Sequence, residues 1–424
     1  MNTLPQTTAE ALNKHCYCRT LDAGKLQQQL AQDPGLASMA GDWALTRPHL
    51  FSSTVVFLAQ SVVAQIDAAV QALERVMALP AYQAQALARA PALAAHAFGP
   101  VGMFMGYDFH LDARGPRLIE VNTNAGGAML NAVLARAQQS CCEGMDWAFM
   151  PDPARLRLDD TFMDMFASEW QLQRGQMPLQ RVVIVDDEPA AQYLYPEFEL
   201  CRHLLMQRGV QAHVVSPQAL QWHDGRLMLG GQVIDMVYNR LTDFYLTEPG
   251  HAALRQAYEA GAVVMSPHPR AHALYAEKRN LVTLSDAALL QAWGVCEADR
   301  RVLAAVVPLA LQVNADNAAT LWAQRRQWFF KPDSGYGGKA VYRGDKLTRR
   351  VWAEITAGGY VAQEIVLPGE RLVDVDGVLS DLKFDVRAYA YAGQVQLLAA
   401  RMYAGQTTNF RTQGGGFAPV VVVP

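Results

Sequence analysis

The sequence predicts a mixed α/β (α+β) chain of more than one domain, and three observations carry that reading. Arg181-Val-Val-Ile-Val-Asp186 is an apolar run of buried-strand type. A helical stretch with Phe198, Leu200, Leu204 and Leu205 follows, then a second strand at 212–216, which is the βαβ pattern of a partly parallel sheet. Residues 106–122 form a hairpin pattern, two strand-like runs around Asp112-Ala-Arg-Gly-Pro116. The last third alternates short strands with glycine-rich turns.

The 424 residues suffice for two or three domains with ample core. Apolar residues make up 51% and charged residues 18%, an ordinary globular composition. A net charge of −4 gives no broad basic surface, so nucleic acid is not an expected partner. The start, Met1-Asn-Thr-Leu-Pro-Gln-Thr-Thr8, lacks a basic segment followed by an apolar run, so no leader is expected. The longest apolar run, Val302 to Val313, falls short of the roughly 20 residues of a membrane span, so no membrane is expected either. The six cysteines are sparse, which fits free thiols in a reducing, cytoplasmic compartment. His15-Cys16-Tyr17-Cys18 has no CxxC partner, so a structural zinc is not expected.

In chain order, residues 1–98 read as helical. Pro48 and Ser52-Ser53 precede a helix with Val55, Val56, Leu58, Val62, Val63, Ile66, Val70, Leu73 and Val76 on a broad face, and Pro80 ends it. An alanine-rich helix covers 82–97, and both pack on the sheet that holds the hairpin. The hairpin strands are Tyr107–Leu111 and Arg117–Asn122. Glu120 and Asn122 share a face, and the partner strand brings Asp108 beside them. Three oxygen donors, two of them anionic, make a hard-cation site suited to Mg²⁺; the alternative is a solvated hairpin with surface carboxylates. Gly126-Gly127 leads into a helix at 128–139, and another covers 160–176. A small α/β unit spans 178–270, with a turn at Asp224-Gly225 and a strand at Val233–Tyr238. Asn239, Arg240 and Asp243 follow that strand, where ligands of such sheets sit, unless they are a plain loop ion pair. With Asn124 and Tyr238, Arg240 and Asp243 are candidate contacts to a polar or zwitterionic substrate. Helices at 285–293 and 300–312 lead to strands at Gln327–Pro332, Tyr360–Val366, Phe384–Tyr391, Val395–Met402 and 419–423.

Lys331 ends an apolar strand directly before Asp333-Ser-Gly-Tyr-Gly-Gly-Lys339. Backbone N–H groups of Gly335, Gly337 and Gly338 can cover phosphates, with the lysine as a point charge. The spacing is not that of a P-loop, and the alternative is a simple glycine hairpin. Gln363-Glu364-Ile365 ends a strand whose backbone can meet an adenine edge, and Glu370 can reach a ribose hydroxyl. Asp385 and Arg387 alternate onto one face, and Arg401, Asn409 and Arg411 follow. Three arginines near a glycine tract point to an anionic ligand held by forked guanidinium groups, or to a salt-bridged sheet face.

The order Lys278, Lys331, Gly-rich loop, Gln363-Glu364, Asp385-x-Arg387, Arg401, Asn409-x-Arg411 and Gly414-Gly-Gly resembles the ATP-grasp superfamily. Asp385 to Val395 resembles the RimK-type peptide ligases. There a D-(about 12)-E-x-N metal hairpin normally follows, whereas this chain carries that spacing at Asp108, Glu120 and Asn122. The sequence therefore resembles a circularly permuted ATP-grasp protein, similar to eukaryotic-type glutathione synthetases and glutathionylspermidine synthetase-like proteins. Ile119-Glu-Val-Asn-Thr123 is similar to their E-F-N-T motif, and Val237-Tyr-Asn-Arg240 to their small-domain strand end. The resemblance covers about residue 100 onward, in pieces. Gly106 stands where glutathione synthetases carry a substrate-binding arginine, Gly335 where they carry a metal-binding glutamate, and Gln413 where they carry an ATP lysine. These departures point away from glutathione as the product.

The resemblance implies four regions: 1–98 packing on the core, 99–177 with the metal hairpin, 178–270 as the small substrate domain, and 271–424 as the nucleotide region. It implies an ATP-dependent carboxylate–amine ligase working through an acyl phosphate on a small amino acid or peptide-like substrate. Lys278, Lys331, Gly335, Gly337, Gly338, Gln363, Glu364, Ile365, Glu370 and Asn409 would bind ATP. Asp108, Glu120 and Asn122 would hold Mg²⁺, with two ions expected, and Arg387, Arg401 and Arg411 would serve catalysis. The partners are then small carboxylates and amines, and a homodimer is a permitted assembly. The alternatives are a phosphotransferase on the same fold and a non-catalytic nucleotide-binding protein.

Overall fold

The computed structural model describes residues 8–32, 46–138, 157–335 and 340–424. Gly337, Gly338, Cys141 and Cys142 lie outside the described residues. The four described cysteines, Cys16, Cys18, Cys201 and Cys296, are free thiols.

The largest sheet runs Val56–Ala59, Gly416–Val423, Gln394–Tyr403, Val378–Tyr391, Met105–Asp112, Gly115–Asn122, with Gly369–Val375 folded back on Val378–Tyr391. All its pairs are antiparallel except Val56–Ala59 on Val420–Val423. The hairpin therefore lies directly beside a strand more than 260 residues away, with Asp108 opposite Arg387 and Gly106 opposite Tyr389. Directly opposed residues point to the same side, so the chemistry-bearing side chains of four strands gather on one face.

Above that face sits a four-stranded antiparallel sheet of Ala310–Gln312, Tyr360–Glu364, Trp328–Pro332 and Tyr342–Arg343. A third, fully parallel sheet carries Val264–Ser266, Met236–Asn239, Arg181–Val185 and Gln211–Val215 in that order. Arg181–Val185, the first of these strands in chain order, has neighbours on both sides, so the connections depart in opposite directions. A crevice forms where Asp186 and Arg240 leave adjacent strands. A three-stranded meander at 220–233 completes this unit, turning at Asp224-Gly225 as its dipeptide predicts.

Several local readings differ from expectation. The helix expected over 82–97 is instead Pro80–Leu87 followed by a 3-10 turn at Ala92–Ala95, and the strand expected at Val233–Tyr238 is split into Gln232–Val233 and Met236–Asn239. Val56–Ala59 is a strand, and the helix begins only at Gln60 and runs to Met77. Val55 to Leu58 are consecutive buried residues, and a continuous apolar run does not by itself distinguish buried strand from buried helix. The expected helix at 300–312 stops at Val306, and Ala310–Gln312 pairs as an edge strand. The hairpin turn is tighter than read, because Asp112 pairs with Gly115 and Pro116 is already inside the return strand. Among the described residues no helix is long and apolar enough to cross a membrane.

Candidate active site

The site lies between the large sheet and the four-stranded sheet, in a cavity of ≈ 960 Å³. Lys331 and Gln363 tie the two sheets together. Lys331 Nζ donates to Ile119 O at 2.9 Å and to Gln363 Oε1 at 2.7 Å, while Gln363 Nε2 donates to Leu118 O at 3.2 Å. Both main-chain acceptors, Ile119 O and Leu118 O, belong to the return strand of the hairpin. Burial lowers the Lys331 ammonium to about 8, against a partial rescue by Glu120. Lys278 arrives from a different element and donates to Gly335 O at 2.8 Å, at the entry of the glycine-rich loop.

A ladder of alternating charge crosses the open face. Arg387 forks onto Asp108 with Nε–Oδ1 2.6 Å and Nη2–Oδ2 2.7 Å. Arg401 Nη2 reaches the same Asp108 Oδ2 at 2.8 Å and forks onto Asp385 at 2.8 and 2.9 Å. Asn122 Nδ2 donates to Asp108 at 3.0 Å and to Glu120 at 3.2 Å. Burial pushes the Glu120 carboxyl up, but Lys278, Lys331 and Asn122 outweigh it and hold the group below its ordinary value, so it is a carboxylate. Asp108, Glu120 and Asn122 all line the cavity, but both oxygens of Asp108 are engaged by arginines, whereas Glu120 accepts its hydrogen bond from Asn122. Among the described residues no three of His, Cys, Asp or Glu gather as a metal cluster; the set here is two carboxylates and an amide.

Gly106 has a local cause. A Cβ there would stand 2.5 Å from Ala125 Cβ and 3.1 Å from Arg387 Nε. The space that a side chain at 106 would take is occupied by the guanidinium from the neighbouring strand. At the hairpin's exit, Gly127 has φ +101, and a Cβ would meet the Phe417 ring at 2.1 Å. Its N–H donates to buried Glu197, which also accepts from Met129 N, so the helix Ala128–Arg136 starts on a carboxylate cap.

The expected adenine and ribose contacts Gln363, Glu364, Ile365 and Glu370 all line the cavity. The N–H groups of Glu364 and Ile365 are bonded to Leu309 O and Gln327 O, and the Glu364 side chain faces Arg114 and Arg117. Asn409 and Arg411 stand on the exposed segment between two strands. Asn409 is folded onto its own loop through Ala404 O, Thr407 O, Arg411 N and Thr412 Oγ1. In that segment Thr408 and Phe410, not Arg411, line the cavity.

The four substrate candidates divide. Asn124, Tyr238 and Arg240 form one group: Arg240 Nη1 donates to Asn124 O at 2.9 Å and Tyr238 Oη at 3.3 Å, while Asn124 Nδ2 donates to Leu241 O. Tyr238 is packed against Phe104 and Phe166 and supports the guanidinium from below. Arg240 is 7% exposed, and its Nε has no hydrogen-bond partner among the described residues. Asp243 belongs to a separate loop network, accepting from Thr247, Glu248 N and His251, whose other nitrogen meets Asp187. Beside Arg240, burial raises the Asp186 carboxyl to about 6.

The sequence reading missed three contributors. Asp385 was placed only as a facing residue, although it anchors Arg401; its i, i+2 relation to Arg387 was the available signal. His110, on the first hairpin strand, meets Val366 O at 2.8 Å and lines the cavity. Glu10, Lys14, Ser61 and Gln65 form a further wall, for which the sequence offers no motif.

No protein-family model and no curated protein sequence matches the chain. Solved structures do. A glutathione synthetase-like effector (GSS30) from Globodera pallida, in its apo form, is 12% identical, covers 95% of this chain and 98% of its own, and superposes with a TM-score of 0.55. A protein from Methylobacillus flagellatus KT assigned as a gamma-glutamylcysteine synthetase is 13% identical over 84% of this chain and 86% of its own, with a TM-score of 0.46. The ATP-grasp ligase PsnB with its minimal precursor is 16% identical over 54% of this chain and 78% of its own, at 0.30. The full-length likeness to the effector shows that this chain has a glutathione synthetase-like fold, the mixed α/β architecture that its sequence resemblance implies.

Proposed function

We propose that this protein is an ATP-dependent carboxylate–amine ligase. The observation that carries the reading is convergence. Lys278, Lys331, Glu120, Asn122 and the Arg387–Arg401 pair come from separate segments and surround one cavity roomy enough for a nucleotide and a second substrate. The glutathione synthetase-like fold supports it. The sheet order, with the hairpin beside Val378–Tyr391, supports reading the chain as circularly permuted.

The chemical obstacle is an anion approaching a polyanion. Lys278 and Lys331 hold the α- and β-phosphates. Glu120 and Asn122 would hold Mg²⁺; to join them, Asp108 must release an arginine. Held there, the ion would supply positive charge against the phosphates. Arg387 and Arg401, fixed by Asp108 and Asp385, face the substrate carboxylate and the transferred phosphoryl group, where preorganised donors act most strongly. The carboxylate oxygen attacks the γ-phosphorus and the bond to ADP breaks, giving an acyl phosphate. The amine then adds to the carbonyl carbon, loses a proton to phosphate or water, and expels phosphate. Arg240, whose buried Nε has no partner among the described residues, would bind a carboxylate of the substrate from outside the lining of this cavity. The 404–416 segment, bearing Arg411, closes over the site and keeps water from the acyl phosphate.

ADP release measured over a panel of amino acids and amines tests the proposal. Turnover that requires both a carboxylate and an amine is expected. Amine-independent release leaving a stable phosphorylated product would instead indicate a phosphotransferase.

A further inference from the structure

The helix Thr8–His15 precedes the segments whose sequence resembles ATP-grasp ligases, yet it forms part of the cavity wall through Ala9, Glu10, Asn13 and Lys14. Glu10 and Lys14 are four residues apart and so occupy one helical face. The helix is held there from two directions. Asn13 exchanges two hydrogen bonds with the Phe57 backbone, Nδ2 to Phe57 O at 2.9 Å and Phe57 N to Oδ1 at 3.0 Å. Arg371, 0% exposed, donates to Leu12 O at 3.3 Å, Asn13 O at 3.2 Å, Val55 O at 2.9 Å, Cys16 O and Thr54 Oγ1. A buried arginine directed at this many main-chain oxygens fixes the place of the segment it binds.

Arg371 occupies the strand Gly369–Val375, directly after Glu370. Neighbouring side chains on a strand point to opposite faces. Glu370 and Gly369 line the cavity while Arg371 reaches into the N-terminal segment. The helix is thus stapled to the strand expected to meet the ribose. The phosphate end of the cavity, marked by Lys278, Lys331 and Glu120, is built from other elements.

From this placement, and resting on the nucleotide reading above, we propose that Glu10 and Lys14 contact the nucleoside half of the bound nucleotide, so that nucleotide binding and docking of the N-terminal helix reinforce each other. The phosphates are outside their reach in this scheme, so the coupling belongs to the nucleoside alone.

Calorimetric titration of the full chain with ATP and with inorganic tripolyphosphate, each with Mg²⁺, separates the two halves of the site. Both residues are exposed, so a Glu10→Ala/Lys14→Ala variant retains the fold. It is expected to bind ATP about tenfold more weakly, the scale of a lost charged hydrogen bond, and tripolyphosphate unchanged. In the unmodified chain, ATP but not tripolyphosphate is expected to slow amide exchange across residues 8–15. Equal ATP affinity in the variant and the unmodified chain, or equal losses for both ligands, overturns the proposal. ATP binding without slowed exchange overturns the coupling. A chain that binds neither ligand removes the ligase reading as well.

Discussion

The site is made of two kinds of part, and they behave differently. Its sheet-borne residues are fixed by strand register and bonded at 2.6–2.8 Å in two sets, buried Asp108 with Arg387 and the less buried Arg401, and buried Lys331 with Gln363. Its loop-borne residues, Asn409 and Arg411, sit on an exposed segment, bonded to their own loop. The first group is preorganised before any ligand arrives. In the proposed reaction the second must move to act, since neither residue lines the cavity. This contrast assigns charge stabilisation to the sheets and enclosure to the loops, and it can be broken at either end.

The largest effect belongs to the charge ladder. Asp108→Asn removes the carboxylate shared by two buried guanidiniums, and unfolding in urea should show a loss of about 3–5 kcal/mol, because a buried charge is left without its partner. A loss under ~1 kcal/mol would mean that Arg401 and Asp385 carry the ladder alone. Lys331→Ala comes next: ADP formation should fall by about 10²-fold or more, as when one preorganised donor to developing charge is lost. Gly106→Ala follows, at about 1–3 kcal/mol, because its Cβ has no room between Ala125 and Arg387. A variant as stable as the parent would show that the two strands can shift apart.

The pH dependence is smaller and has a defined sign. Free Lys331 loses its proton above about 8, and phosphate needs the charged form. Affinity for Mg²⁺–tripolyphosphate should therefore fall as pH rises through 8, by up to roughly tenfold per unit, with proton uptake on binding visible in buffers of different ionisation enthalpy. Flat affinity from pH 7 to 9.5 would detach Lys331 from the phosphates. Arg411→Ala is expected to change stability by no more than ~0.5 kcal/mol, since its side chain is exposed. Any loss it causes should appear as faster acyl-phosphate hydrolysis, read as ADP released without product. An unchanged ratio of ADP to product would remove Arg411 from the lid.

The same contrast explains what the sequence disclosed. Strand alternation placed Glu120 with Asn122 and Asp385 with Arg387, because a period of two fixes the face once the strand is recognised. The hairpin's place beside Val378–Tyr391 followed from what the C-terminal strands lacked. Val56–Ala59 was read as helix because four consecutive apolar residues satisfy either period, and only its partner Val420–Val423, at the other end of the chain, decides between them. The bonds Lys331–Ile119 and Arg371–Asn13 were invisible for a related reason: they join segments hundreds of residues apart through main-chain oxygens, which every residue has. Asp243 was grouped with Arg240 by proximity in sequence, yet its loop turns it toward His251.

Binding of ATP in the presence of Mg²⁺ tests the central claim most directly, that these separated segments form one nucleotide site. Titration calorimetry should give one ATP per chain, with affinity dependent on Mg²⁺ and lost in both Lys278→Ala/Lys331→Ala and Glu120→Gln variants that remain folded. Undiminished ATP binding by the double lysine variant, or no binding by the unmodified chain, would contradict it.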